Sequence, residues 1–156
     1  MSDIKRAETC EHLRVYVASS WRNSAQPSVV KAVRALGAQV YDFRCPSEDV
    51  AGFQWSEIDP QWQRWTAEEY VSALNHQAAV NGYERDLSAM RWANTFVLVL
   101  PCGRSAHLEL GWAVGQGKRT AILLNGDHEP ELMAKMVDHI AIDESDLLAW
   151  LNEVTP

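Results

Sequence analysis

Residues 95–100 read TFVLVL, a continuous run of apolar and mostly β-branched or aromatic side chains that Asn94 precedes and Pro101 follows. An uninterrupted run of this kind is typical of a strand buried on both faces at the centre of a parallel sheet. The next residues, 102–106 (CGRSA), lead into a stretch with helical spacing, and Gly117 stands where that helix should end. This strand, turn and helix decide the fold.

Strands and helices alternate on both sides of this unit. The predicted strands are residues 13–18, 38–43, 95–100, 120–124 and 139–142, and the predicted helices are residues 27–36, 66–93, 106–116, 130–137 and 143–154. We expect the long helix to be interrupted near Asn81 and Gly82, and residues 44–65 to form a long loop. The alternation predicts a three-layer α/β fold, with a flavodoxin-like five-stranded parallel sheet in the order 2-1-3-4-5 and helices on both faces.

Length and composition are those of a single globular domain. The 156 residues are 47% hydrophobic and 22% charged, so we expect one domain over residues 1–156, with residues 1–11 as a flexible N-terminal segment. Fourteen Lys and Arg against 21 Asp and Glu leave a net charge of −7, which disfavours a nucleic acid polymer as partner.

The sequence also carries signals about location. The longest apolar run, residues 96–100, is too short to cross a membrane, and the charged N-terminus lacks the apolar core of a signal peptide. Cys10, Cys45 and Cys102 are widely spaced and form no metal-ligand pattern, which suits plain thiols in a reducing compartment. We therefore expect a cytoplasmic protein.

Two turns are candidates for a ligand site. In a doubly wound sheet, ligands bind beyond the carboxyl ends of the strands where the winding reverses, which selects residues 19–23 and 102–106. Hydroxyl and guanidinium groups in these turns could hold a sugar hydroxyl or a phosphate against a helix N-terminus. The substrate-binding candidates are Ser19, Ser20, Trp21, Arg22, Gly103, Arg104 and Ser105. The alternative is that these serines only cap turns.

Glu109 is the candidate for chemistry in the helix after the central strand. The stripe of that helix that faces the sheet is predicted to consist of Ala106, Leu110, Ala113 and Val114. Glu109 lies on the shoulder of this stripe, about 80° from its centre. Its carboxylate, near the positive end of the helix dipole, should stay ionised at neutral pH and could act as a nucleophile. Alternatively, Glu109 only completes the helix N-terminus.

Three segments carry a family resemblance: residues 16–21 (YVASSW), 84–87 (ERDL), and 105–111 (SAHLELG) with Gly117-Lys118 after it. In this order they resemble the nucleoside 2-deoxyribosyltransferase family, which includes deoxynucleoside 5′-monophosphate N-glycosidases. The resemblance implies that Glu109 attacks the anomeric carbon of deoxyribose, displaces the base and holds the sugar as a covalent ester. It implies that Tyr16 contacts and tunes this carboxylate, and that Asp86 helps the base to leave.

Each of these roles has a structural alternative: Tyr16 as a core aromatic and Asp86 as a solvated helix residue. The chain also differs from many transferases, because Gly103 and Asn94 stand at positions that are acidic in them. No tyrosine follows Tyr83, whereas the transferases use a C-terminal tyrosine in a neighbouring subunit's site.

These observations predict cleavage or transfer at the N-glycosidic bond of a deoxynucleoside or deoxynucleotide, through a covalent glycosyl-glutamate intermediate. Arg22 and Arg104 beside the predicted site favour a phosphorylated substrate. The chemistry needs no metal or other cofactor, and the five histidines show no ligand spacing. The alternatives are a nucleotide-binding or sensing module without catalysis, and an NAD-type glycohydrolase.

Aromatic and apolar side chains outside the predicted core suggest further contacts. The loop at residues 44–65 contains Phe53, Trp55, Trp62 and Trp65, which form either a lid that stacks on a nucleobase or a satellite hydrophobic cluster. Leu108 and Trp112 point away from the sheet stripe, so we expect them to pack against this loop or against another subunit, in a homo-oligomer. His107 is expected at the surface or at an interface.

Overall fold

The computed structural model describes residues 12–126 and 128–153 of the chain. They form two compact units, the sheet unit (residues 12–42 and 92–153) and the helical unit (Phe43–Arg91). The predicted flexible segment at residues 1–11, with Cys10, lies outside the described residues. One domain over residues 1–156 stays a prediction.

The sheet unit contains five parallel strands in the order β2-β1-β3-β4-β5, as predicted. The strands are β1 (Arg14–Ala18), β2 (Gln39–Asp42), β3 (Thr95–Val99), β4 (Arg119–Leu123) and β5 (His139–Ala141). All five residues of β3 are buried, and β3 lies at the centre of the sheet. The continuous apolar run therefore marks the strand that has a neighbour on either side and protein on both faces.

Within residues 12–126 and 128–153, five helices accompany the strands. They are α1 (Gln26–Ala35), α2 (Ala67–Ala73), α3 (Gln77–Trp92), α4 (Arg104–Gly115) and α5 (Glu144–Asn152). Short 3-10 turns occur at Trp55–Glu57, Trp62–Arg64 and Leu132–Met136. In the part of the chain that the structure describes, none of the helices has the length and apolar character needed to cross a bilayer.

Both faces of the sheet are covered within the sheet unit. Alternate residues of the strands pack with α1 and α5 on one face, and this core consists of Val15, Val17, Val29, Val30, Val33, Ala38, Val97, Val99, Ala121, Leu123, Ala141, Leu147, Trp150 and Leu151. On the other face, α4 buries three residues of the predicted stripe, Ala106, Leu110 and Ala113. Val114 is half-buried. This arrangement places Glu109 on the edge of the buried stripe.

The predicted interruption of the long helix was placed wrongly. The break lies at residues 74–76 instead, and Asn81 and Gly82 are inside α3. A Cβ atom at Gly82 would lie 2.8 Å from the Cβ of Phe53, so this glycine provides room for a close approach and does not end the helix. The Nε2 of Gln77 also donates to the Oδ1 of Asn81 at 2.7 Å, a bond between successive turns of one helix.

Two further predictions need correction. Residues 130–137 were predicted as a short helix, but only Leu132–Met136 forms a 3-10 turn, with backbone bonds between residues three apart. Trp112 does not need another subunit to cover it. Its ring lies 6.1 Å from that of Phe96 and 5.4 Å from the Nζ of Lys118, because the large indole reaches round α4 to the sheet. Leu108 is 76% exposed, and the homo-oligomer stays a prediction.

Candidate functional site

The turns after β1 and β3 lie side by side at the carboxyl edge of the sheet, and Asn23 joins them. Its side chain is 3% exposed. The Nδ2 group donates to the Oγ of Ser19 at 3.0 Å, to the carbonyl of Val99 at 3.2 Å and to the carbonyl of Pro101 at 3.1 Å. The Oδ1 atom accepts from the backbone N–H of Ala25 at 2.9 Å. One buried amide therefore connects the two turns that the topology rule selects.

The two serines of the first turn use their hydroxyl groups for hydrogen bonds within the protein. The Ser19 hydroxyl donates to the carbonyl of Val99 at 2.9 Å and accepts from Asn23, so it supports the turn itself. The Oγ of Ser20 accepts from the backbone N–H of Arg22 at 3.2 Å. Both serines are half-buried, while Trp21 and Arg22 are exposed. The structure thus gives Ser19 a supporting contact, and the substrate-binding roles of the four residues stay predictions.

The second turn leads directly into α4. Gly103 precedes the helix with an extended backbone, and Arg104 and Ser105 form its exposed first residues. No ion pair or side-chain hydrogen bond joins the guanidinium of Arg22 or of Arg104 to another residue in the described ranges. Each of the two turns therefore carries an exposed cationic residue.

Glu109 is half-buried on the shoulder of α4, as its helical phase predicted. Its charge acts on Cys102, which lies in the turn after β3. The pKa of this thiol is raised to about 11, first by burial and second by the negative charge of the Glu109 carboxylate. The carboxylate is thus close enough to the carboxyl edge of the sheet to interact with a group there.

Cys102 is not itself a candidate nucleophile. With a pKa of about 11 the thiol stays protonated at neutral pH, and the protonated thiol is the unreactive form. Its Sγ lies 3.4 Å from the Nδ1 of His107, which is exposed as predicted. The role of Glu109 as a nucleophile stays a prediction.

Tyr16 lies fully buried in a row of rings that crosses the sheet. Its ring stacks on Tyr41 of β2 at 5.2 Å and on Phe96 of β3 at 4.9 Å. The register explains the row, since both neighbours lie directly opposite Tyr16. Tyr16 is therefore a core aromatic on the same face of the sheet as α4. Its action on the Glu109 carboxylate stays a prediction.

The helical unit contains Asp86 and the aromatic loop. Asp86 is half-buried on α3. The ring of Trp55 lies edge-on to three other aromatic side chains, at 4.9 Å from Phe53, 5.7 Å from Trp65 and 6.0 Å from Tyr70. These rings form a hydrophobic cluster within the unit, and Trp62 is 37% exposed. The role of the cluster as a lid, and that of Asp86 as an acid, stay predictions.

Asn23 and Cys102 were not recognised as site residues from the sequence. A signal for Asn23 was present, because asparagine three residues before a helix start is typical of a turn in which its side chain bonds to the backbone. No sequence signal shows that the same side chain reaches Val99 and Pro101, which are 76 and 78 residues away.

The fold is similar to that of a solved 2-deoxyribosyltransferase. The 2-deoxyribosyltransferase from Bacillus psychrosaccharolyticus superposes with a TM-score of 0.56 and 20% sequence identity, over 88% of this chain and 94% of that chain. The CMP N-glycosidase from Clostridium botulinum gives a TM-score of 0.49 and 16% identity, over 90% of this chain and 99% of that chain. No family model and no curated protein matches this chain. The α/β fold predicted from the alternation of strands and helices is confirmed.

Proposed function

We propose that this protein cleaves or transfers at the N-glycosidic bond of a deoxynucleoside or deoxynucleotide, with Glu109 as the nucleophile. The observation that carries the proposal is the half-buried Glu109 carboxylate, whose charge acts on the turn after the central strand. Parallel α/β sheets bind ligands at this edge, and the family resemblance assigns the nucleophile to the same residue. The superposition on the transferase supports the α/β fold on which this assignment depends.

The reaction has two steps. In the first, an Oε atom of Glu109 forms a bond to the anomeric carbon while the bond from that carbon to the base nitrogen breaks. The electron pair leaves with the base, which takes up a proton, and we assign the donation of this proton to Asp86. In the second step, water or the nitrogen of a second base attacks the anomeric carbon, gives up a proton to the Asp86 carboxylate and releases the Glu109 carboxylate. Water gives hydrolysis and a second base gives transfer.

A phosphorylated substrate is favoured by the two exposed guanidinium groups. Arg22 and Arg104 lie on the two turns at the carboxyl edge, and a phosphate can accept bonds from both. The N-terminal end of α4 adds backbone N–H groups and the positive end of the helix dipole at the same edge. We therefore expect a 5′-phosphate to increase kcat/KM.

The test is base release from a panel of deoxynucleosides and deoxynucleoside 5′-monophosphates, with and without an acceptor base, followed by chromatography. We expect turnover by the wild type that is faster on the monophosphates. Glu109→Gln removes the nucleophile at nearly constant shape, so kcat should fall by about 1,000-fold or more. Glu129→Gln, which removes one exposed glutamate charge elsewhere, is the matched control and should keep wild-type activity.

Three results contradict the proposal. The first is undiminished turnover in Glu109→Gln. The second is saturable nucleotide binding by calorimetry without any product, which would indicate a sensing module. The third is consumption of NAD without base release from any deoxynucleotide, which would indicate an NAD-type glycohydrolase.

A further inference from the structure

Asn23 occupies a place in the sheet unit where the regular pairing of two strands has ended. The last paired residues of β1 and β3 are Ala18 and Leu98. Beyond them, the Asn23 Nδ2 donates to the carbonyls of Val99 and Pro101, and the Ser19 hydroxyl donates to that of Val99. These side chains extend the connection between the strands to the carboxyl edge, where no backbone pairing joins β1 to β3.

The carbonyls that Asn23 holds lie immediately before α4. Pro101 is followed by Cys102 and Gly103, and α4 begins at Arg104. Gly103 has no side chain with which to cap this helix. The start of α4, and with it the direction in which Glu109 points, therefore depends on how the preceding turn is held.

The burial of Asn23 indicates that this connection is a rigid one. With 3% of its surface exposed, the amide has no access to water that could replace its partners. Without these bonds the carbonyl of Pro101 would lose the Asn23 donor, and that of Val99 would keep its bond from the Ser19 hydroxyl but lose the one from Asn23. Such a bridge holds the turn in one position, as a group that aligns a nucleophile must do.

We infer that Asn23 is a positioning residue for Glu109, which acts by fixing the turn between β3 and α4 through its bonds to Val99 and Pro101. This inference rests on the proposed function for its catalytic consequence. Asn23 does not touch the reacting atoms in this scheme. Its contribution is to keep the nucleophile within reach of the anomeric carbon.

The first variant is Asn23→Ser. The shorter hydroxyl can still accept from the Ala25 N–H, as serine does in turns, but it cannot reach the two carbonyls. We expect kcat for base release to fall by about 10- to 100-fold, because a displacement of about 1 Å is enough for such a loss. Asn23→Asp keeps the shape and the acceptor but replaces the donor, so its kcat should fall at least as much at neutral pH. The ratio of its kcat to that of the wild type at the same pH should then rise when acid protonates the introduced carboxyl.

The matched control is Thr120→Val. Thr120 is also buried, and its hydroxyl bonds to Asp138 at the opposite, amino edge of the sheet. This variant should lose a similar part of the free energy of unfolding without a change in kcat. A loss of kcat in Thr120→Val as large as in Asn23→Ser would overturn the inference, as would wild-type kcat in both Asn23 variants.

A second measurement works without any substrate. In a Cys10→Ser, Cys45→Ser background, the pH dependence of iodoacetamide alkylation reports the thiol of Cys102, which responds to burial and to Glu109. Asn23→Ser should shift this titration downward toward 9.0, the ordinary value, and Thr120→Val should leave it unchanged. Absence of turnover in the wild type would refute the proposed function alone. An unshifted titration in Asn23→Ser would refute the positioning role.

Discussion

At the scale of single residues, the chemistry of the candidate site depends on which of two neighbouring groups is ionised. Cys102 and Glu109 are seven positions apart and interact through the charge of the carboxylate. Burial and this charge both disfavour the thiolate, so the thiol is kept neutral at neutral pH. The protonation state of Cys102 is therefore a consequence of where Cys102 and Glu109 are placed.

Glu109→Gln should lower the pKa of the Cys102 thiol below its wild-type value of about 11. Removal of the negative charge makes the thiolate easier to form, while burial, the larger cause, remains and keeps the pKa above 9.0. The measurement is the alkylation titration in the double-serine background, with Glu129→Gln as the charge-matched control. An identical titration in Glu109→Gln and wild type would mean that the carboxylate does not act on this turn.

At the scale of elements, glycine has opposite effects in two helices. Gly82 lies within α3 against Phe53, where an added Cβ would be 2.8 Å from the Cβ of that residue. Gly111 lies within α4, and an added Cβ would meet no atom within 4 Å. In α3 the glycine is required by packing, whereas in α4 it only increases the freedom of the unfolded chain.

Gly82→Ala should destabilise the protein by about 1–3 kcal/mol, because the contact atom is a Cβ that cannot rotate away. Gly111→Ala should stabilise it by about 0.5–1 kcal/mol, because alanine favours a helix interior. Urea unfolding monitored by circular dichroism measures both changes. Equal effects of the two substitutions would show that the approach of Phe53 to α3 is not as close as described.

At the scale of the whole molecule, side-chain contacts join the edge strand β5 to the last helix, α5. The ring of His139 stacks on that of Trp150 at 5.6 Å, and its Nε2 lies 3.0 Å from the Oδ1 of Asp146. The Oδ2 of Asp146 accepts from the backbone N–H of Ile142 at 2.9 Å. The bond from Ile142 and then the contact with His139 hold the pKa of Asp146 below its ordinary value of 3.8.

A carboxylate whose pKa is lowered in the folded state stabilises that state at pH values above its ordinary pKa. This stabilisation is lost as the pH falls through the lowered pKa. Asp146→Asn should therefore be less stable than the wild type at about pH 6, and the difference should shrink as the pH falls below 3.8. Unfolding free energies from urea titrations across this range test the expectation, with Glu129→Gln as a control for net charge. A difference that stays constant with pH would contradict it.

Much of the architecture could be predicted from local patterns. The apolar run before Pro101 predicts β3. Pro27 predicts the start of α1 because its ring restricts the backbone, and Gly37 predicts the end of α1 because glycine can adopt the positive φ found there. The capping box at Thr66 and Glu69 predicts the start of α2, and both of its bonds are present. Each of these signals acts between residues close in sequence.

The interruption of the long helix could not be predicted in this way. Asparagine followed by glycine is a local signal for a break, but Phe53, almost thirty residues away, determines why glycine stands at position 82. A contact of this kind has no signature in the residues around it.

The amino-acid sequence by itself determined the α/β class, the parallel order of the strands and the helical phase that puts Glu109 beside the buried stripe, because strand and helix periodicity are local properties. Only the tertiary structure decided that Asn23 joins the two turns, that Tyr16 lies in a row of stacked rings and that the charge of Glu109 acts on Cys102. Hydrogen bonds, ring stacking and electrostatic interaction depend on distance in space, and the folded chain alone sets those distances.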